Sequence, residues 1–451
     1  MKKRSVVPSG MLGFSVVWFG QVVSLLGTGM TQFALTIWAW QVTGRATALA
    51  LVGFFGFFPR IIMTPLAGAL VDRWNRKLVM ILSDLAAGLA TIAVFILYRT
   101  GHLEIWHLYA TAAFSGIFGS FQFPAYQASI TLMLPKEHLT RANAMLGLAH
   151  SISGIFAPMA AGALLVFLGI GGIMTIDIVT FTFAIVTLLV VAIPQPEARH
   201  VADARKRNLL ADCAFGFRYV LASRSLTALL VLFFVMNLLL SFGGGVLAPM
   251  ILARTGNNEL ILGTVQMLFG IGGVVGGALI TLWGGPKRKI YGLLIGGILV
   301  SIFGDIVLGV GRSLYVWGAG AFFSMFFVPM ANGASAAIWQ TKIPPHLQGR
   351  VFSARIVIGQ IGGAVALPLA GLLADGLFEP LMSGSSAVAR VLAPLVGTGP
   401  GAGMGLMFVL FGLLGTCVAA AAFAYRPIRE IETILPDYDA VESKAETASE
   451  V

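Results

Sequence analysis

Charge is what this chain has least of. Only 11% of its 451 residues are Asp, Glu, Lys or Arg, while 57% are apolar; a soluble chain carries about 25% charged residues. A water-soluble protein of this length cannot cover its surface with so few charges, so its solvent is mostly lipid. Cysteine is scarce as well. Cys213 and Cys417 have no metal-ligand spacing and imply no disulfide framework. There is no Gly-x-x-x-x-Gly-Lys phosphate loop, which argues against ATP hydrolysis within the chain. Zinc, nucleophile and acid-pair spacings are missing too, so no enzyme, metal or other cofactor is expected. The run Gly270 to Gly277 imitates a dinucleotide loop, but Val275 holds the third glycine position and the run lies inside an apolar stretch. There Gly272/Gly276 and Gly273/Gly277 read as close helix packing.

What is present is a series of long charge-free intervals, among them those between Arg4 and Arg45, Glu259 and Lys287, and Arg390 and Arg426. Crossing a hydrocarbon core of about 30 Å takes about 20 helical residues. The intervals predict twelve spans: 13–40, 47–71, 77–98, 105–134, 140–168, 172–193, 225–251, 259–283, 288–310, 314–341, 350–377 and 402–425. They are too long for barrel strands, so the expected fold class is an all-α membrane protein with two six-helix bundles. The N-terminal Met-Lys-Lys-Arg resembles the start of a signal peptide, but the apolar run behind it is too long for one and reads as an uncleaved first span.

The net charge of +10 is not spread as a nucleic-acid-binding face. It follows the alternation of loops. Of the 29 Lys and Arg residues, 22 fall on one side of the predicted spans, whereas Arg45, Arg99, Arg254, Arg312 and Arg390 are the cations on the other. The positive-inside bias then puts both termini in the cytoplasm of a multi-pass plasma (inner) membrane protein. The expected domains are a bundle over 1–193, a polar linker over 194–224 with an amphipathic helix, a bundle over 225–425, and an acidic, disordered tail over 426–451.

The halves repeat. Gly68-Ala-Leu-Val-Asp72-Arg73-Trp74 returns 209 residues later as Gly277-Ala-Leu-Ile-Thr-Leu-Trp283, each followed by a cationic cluster. Pro158 to Gly162 is echoed by Pro368 to Gly371. Two parallel six-helix repeats imply a binding site near the midplane and alternating access by rocking.

The stretch Gly68-x-Leu70-x-Asp72-Arg73-x-x-Arg76-Lys77 resembles the signature loop of the major facilitator superfamily, with Asn75 where that loop often has glycine. Trp18 to Gly27, Thr43-Gly44, Thr175 to Phe181 and Gly216 to Tyr219 resemble its macrolide-efflux-like branch of drug–proton antiporters. The resemblance implies efflux of bulky amphipathic compounds, macrolides or siderophores among them. An antiporter-like segment is partly present at Gly154 to Gly162, and the arginine expected on the fourth helix is absent between Leu108 and Leu134. Importers and lipid or lysolipid flippases share the same scaffold. A non-transporting sensor is the remaining alternative.

Candidate residues follow from position. Gly68, Asp72, Arg73, Arg76 and Lys77, with Arg355 as a partner, form a gating loop that latches in one conformation; plain anchoring by the cations is the competing reading. Asp84, Asp177 and Asp305 sit inside spans and are candidates for taking up and releasing protons, against a structural role. Gln21, Ser24, Thr28 and Gln32 share one helix face, and Gln122 and Tyr126 another; Asn237, Asn332 and Trp339 mark two more spans. With Arg60, near the middle of its span, they are the expected lining of a substrate cavity. His150 is expected to be a hydrogen-bonded core histidine. The cargo is a small amphipathic molecule, the coupling partner is the proton, and the protein is expected to be a monomer.

Overall fold

The computed structural model describes residues 10–71, 74–135, 138–194, 209–383 and 386–438. Ten helices among them are long and apolar enough to cross a membrane. The ten are consistent with twelve spans, because one 52-residue helix contains two and the helix Ile105–Met133, outside the ten, lies on another predicted span. The chain forms two compact units. One comprises Met1–Arg207 and Thr255–Met267, the other Asn208–Arg254 and Leu268–Val451.

In the first unit, α1 (Met11–Thr43), α2 (Ala46–Val71), α3 (Arg76–Arg99) and α4 (Ile105–Met133) are followed by the long α5 (Leu139–Val190). Gly44, in the left-handed region at φ 58°, ends α1. Gly169, at φ 62° and ψ 179°, breaks α5 into two arms where the sequence ends one span and starts the next. α1 packs along α5, and α4 lies against both α2 and α3. The core gathers Phe14, Met80, Tyr126, Ile130 and Leu188. Asn75 caps α3: its Oδ1 accepts from the Leu78 amide at 3.1 Å. Thr255–Met267 joins this unit through Trp40 Nε1, which donates to Asn257 Oδ1 at 2.8 Å, and Gln41 Nε2, which donates to Glu259 Oε1 at 3.2 Å.

The second unit begins with α6 (Leu209–Leu221), the helix expected in the linker, and α7 (Arg224–Thr255). α8 (Glu259–Trp283) begins in the first unit and ends in the second. α9 (Lys289–Leu299) passes through a π-helical segment, Val300–Ile306, into α10 (Val307–Val310). Then come α11 (Leu314–Phe326), α12 (Val328–Lys342) and α13 (Pro345–Leu373), a second π segment at Ala374–Phe378, α14 (Glu379–Ser383), α15 (Ala387–Val396) and α16 (Ala402–Ala424). Trp339, Leu229, Leu294 and Val351 share the main core. Arg254 is not a free loop cation. Its guanidinium donates to the carbonyls of Gly401, Val396 and Gly311, tying the end of α7 to two loops.

The glycine stripe on α8 packs on one side only. A Cβ at Gly272 or Gly276 would strike the carbonyls of Phe322 or Phe326 on α11; at Gly277 it would meet nothing within 4 Å. The expectation of a disordered tail from residue 426 is corrected as far as Tyr438. Two short helices, α17 (Arg426–Arg429) and α18 (Ile431–Ile434), bury Ile428 and Ile431 in the core. Glu432 Oε1 accepts from the amides of Lys289 and Ile290 at the start of α9. Lys342 Nζ donates to the Glu432 and Leu435 carbonyls and pairs with Asp437 at 2.8 Å. The isoleucines, periodic and apolar, outweigh the acidic composition behind them. At the end of α17, hydrogen bonds from Arg426 and Arg429 hold the Glu430 carboxyl below the usual carboxylate range.

Many large apolar side chains face outward, Phe167 and Leu282 being 82% and 87% exposed. Such a surface is at rest only in hydrocarbon.

Candidate functional site

Two buried carboxylates stand on a ladder inside the first unit. On α1, Gln21 and Thr28 are seven residues apart; on α3, Asp84 and Thr91 are too. Seven residues are about two turns and about 10 Å, so each pair lies on one helix face. On the first rung, Gln21 Nε2 donates to Asp84 Oδ2 at 2.8 Å. Gln122 Nε2, from α4, donates to Asp84 Oδ1 at 2.9 Å and to Gln21 Oε1 at 3.1 Å. On the second rung, Asp177 from the second arm of α5 accepts from Thr28 Oγ1 at 3.1 Å and Thr91 Oγ1 at 3.0 Å. Gly27 makes this rung: a Cβ there would strike Thr180 Oγ1 and lie 3.0 Å from the Asp177 Cα. Asp177 is 1% exposed. Among the described residues, the hydrogen-bond partners of both carboxylates are neutral amides and hydroxyls.

Sequence reasoning placed Asp84 among proton carriers and Gln21 and Gln122 among cavity residues; the fold brings the three together. Thr91 was missed. Its one signal was the seven-residue spacing from Asp84. Ser24 and Tyr126 are buried, and the Tyr126 hydroxyl lacks a hydrogen-bond partner among the described residues. Gln32 and Arg60 are exposed, apart from the ladder. His150 is exposed beside the Phe123 ring at 6.3 Å between centroids, which corrects its reading as a core histidine.

In the second unit, Asp305 lies on the π segment and lines a cavity with Asn237 and Asn332. Arg355 Nη2 donates to Ser335 Oγ at 2.9 Å, and its guanidinium stands 4.5 Å from the Phe233 ring centroid and 5.6 Å from that of Trp339. This is a cation–π seat within one unit. Trp339 is fully buried and belongs to the core rather than to a cavity wall; a large ring closing the gap between α7, α9 and α12 leaves no surface for cargo.

Of the gating loop, Gly68 lies near the end of α2, while Asp72 and Arg73 lie outside the described residues. Trp74 stacks on Phe121 at 6.1 Å. Arg76 opens α3. Lys77 Nζ donates to the carbonyls of Leu189 at 3.0 Å and Val191 at 2.7 Å, closing the C-terminal end of α5 where a cation suits the helix dipole.

The family model of the Major Facilitator Superfamily covers residues 17–367. The chain belongs to the major facilitator superfamily. It is therefore a multi-pass integral membrane transporter. It is 27% identical to Macrolide efflux protein A of Streptococcus pyogenes over 369 residues, 81% of this chain and 90% of that protein. It is 26% identical to the Multidrug efflux pump Tap of Mycolicibacterium fortuitum over 368 residues, 80% of this chain and 88% of Tap. Among solved structures, a bacterial homolog of the human lysosomal transporter Spinster superposes with a TM-score of 0.65 at 15% identity, covering 93% of this chain and 98% of that one. That likeness is one of fold. The macrolide-efflux-like resemblance read from Trp18 to Tyr219 agrees with the relatives found.

Proposed function

We propose that this transporter exports hydrophobic or amphipathic small molecules, drug-, macrolide- or siderophore-like, in exchange for protons and by alternating access. The observation that carries the coupling is the ladder of Asp84 and Asp177, buried and held by amides and hydroxyls alone among the described residues. A cation beside a carboxylate would hold it ionised. A hydroxyl can donate to the ionised form or accept from the protonated one, so the site keeps its partners in both states. Intramembrane carboxylates with such surroundings mark proton paths. The export direction rests on the similarity to efflux proteins. A proton moving down 100 mV supplies about 2.3 kcal/mol, and each pH unit about 1.4 more, enough to drive uphill export.

The test is efflux of a panel of amphipathic dyes and macrolides from cells expressing the chain, with and without a protonophore. Efflux that stops when the gradient collapses is the expected result. Efflux indifferent to the protonophore would remove proton coupling. Absence of efflux for every member, with uptake or lipid translocation in its place, would assign an importer or flippase instead.

A further inference from the structure

A cavity of about 110 Å³ lies wholly inside the second unit, bounded by α7, α9 with its π segment, α12 and α16. Its walls are mostly Leu, Val, Met and Ala side chains. Its polar groups are Asp305, Asn237, Asn332 and Ser301. Asp305 is 8% exposed, and among the described residues no hydrogen bond or ion pair reaches its carboxylate. The Asn237 amide nitrogen donates one N–H to the Phe233 carbonyl at 2.8 Å, and its amide oxygen is an acceptor a ligand can use. Among the described residues no Lys, Arg or His lines the space. Asp305 and Ser301 both lie on the π segment, close against α16: a Cβ at Gly412 would stand 3.1 Å from the Asp305 Cβ.

We propose that this cavity is a recognition site for the ammonium head of a cationic amphiphile, with Asp305 as its counter-charge. A buried carboxylate without a partner is costly, and a cation entering the cavity supplies that partner. The amide oxygens and the Ser301 hydroxyl are acceptors for any ammonium N–H not directed at Asp305. An anion would meet a like charge and no cation. A hard divalent cation such as Ca2+ or Mg2+ takes six or more oxygens, usually with more than one carboxylate, whereas this cavity offers a single carboxylate. The volume is below the 150 Å³ or so that accommodates benzene in an engineered apolar cavity. It therefore takes the small alkylammonium end of a cargo and leaves the body outside. Asn332, which is exposed, stands on the open side. The proposal rests on the export reading and narrows the exported molecule to amphipathic cations.

Binding is read without transport, on the full chain in lipid nanodiscs at neutral pH. Two fluorescent alkyl probes are compared, identical except that one ends in a dimethylammonium group and the other in its uncharged isopropyl isostere. Fluorescence anisotropy is expected to show the ammonium probe bound at least about tenfold more tightly, the scale of a desolvated charge pair. Asp305→Asn should bring the two probes within about twofold of each other by removing that charge. Gly297→Ala provides a second variant that leaves the carboxylate in place. Its Cβ would sit 3.7 Å from Met236 Sδ and 4.0 Å from Ala419 Cβ, an ordinary fit, while reducing the cavity. It should weaken the ammonium probe by about threefold or more through lost space. Equal binding of both probes to the unaltered chain, an undiminished preference in Asp305→Asn, or no effect of Gly297→Ala would each overturn the site. If the preference holds while cells export no dye, the export reading fails and the site stands; if cells export dyes and the preference is absent, only the site fails.

Discussion

At the scale of single residues, the first rung of the ladder is the sharpest point to probe. Asp84 holds two amide donors, from Gln21 and Gln122, and nothing charged among the described residues. Asp84→Asn keeps the volume and removes the ionisable group. It is expected to lower proton-driven efflux by about tenfold or more, the usual lower range for a lost proton-transfer group. Membrane insertion and the size-exclusion profile should be unchanged. Transport at the unaltered rate would take Asp84 out of the coupling path. Asp84, Gln21 and Gln122 each stood out in the sequence, because a polar residue in an apolar span is conspicuous. That they touch was not legible: they come from three helices, 63 and 38 residues apart around Asp84. Thr91 shows the opposite limit. A threonine in a helix is unremarkable, since its hydroxyl can bond its own backbone, and only the approach of Asp177 gives it a task.

At the scale of elements, the chain's helices were readable almost throughout, since span length and charge-free intervals are set by the bilayer. The predicted 13–40 is Met11–Thr43, and 259–283 is Glu259–Trp283. The π segments at Val300–Ile306 and Ala374–Phe378 had no sequence signal, because they insert a residue into the helical ladder without changing hydropathy. Which glycine pair on α8 packs was also undecided, as both have the same spacing. The structure separates them, and a matched pair of variants tests it. Gly276→Ala puts a methyl against the Phe326 carbonyl and should destabilise the second unit by about 1–3 kcal/mol, the cost of overpacking. Gly277→Ala meets open space and should be neutral or slightly stabilising. Thermal unfolding in detergent, followed by circular dichroism, reads the difference; equal melting temperatures would refute the assignment of the packed face.

At the scale of the whole molecule, the cation bias makes one prediction for the intact membrane. Single cysteines at positions 103 and 437, in a chain with Cys213 and Cys417 replaced by alanine, should react oppositely with an impermeant maleimide. Position 103 is expected to label from outside intact cells and position 437 only after permeabilisation. Labelling of position 437 in intact cells would reverse the topology. The amino-acid sequence by itself determined the solvent, the all-helical class, the repeat and the membership of a transporter superfamily. These depend on composition, span length and local spacing, each written along the chain. It also singled out Asp84, Asp177 and Asp305 within the spans, because a charge in hydrocarbon is too costly to be incidental. Only the tertiary structure decided their surroundings: amides for Asp84, hydroxyls for Asp177, an open apolar cavity for Asp305. It decided as well that Trp339 is core and that Ile428 and Ile431 pull the start of the tail into the fold. The reason is the same in each case. What a buried side chain meets is set by helices distant in sequence, and their rotation about one another is fixed by close packing at positions such as Gly27, Gly272 and Gly276.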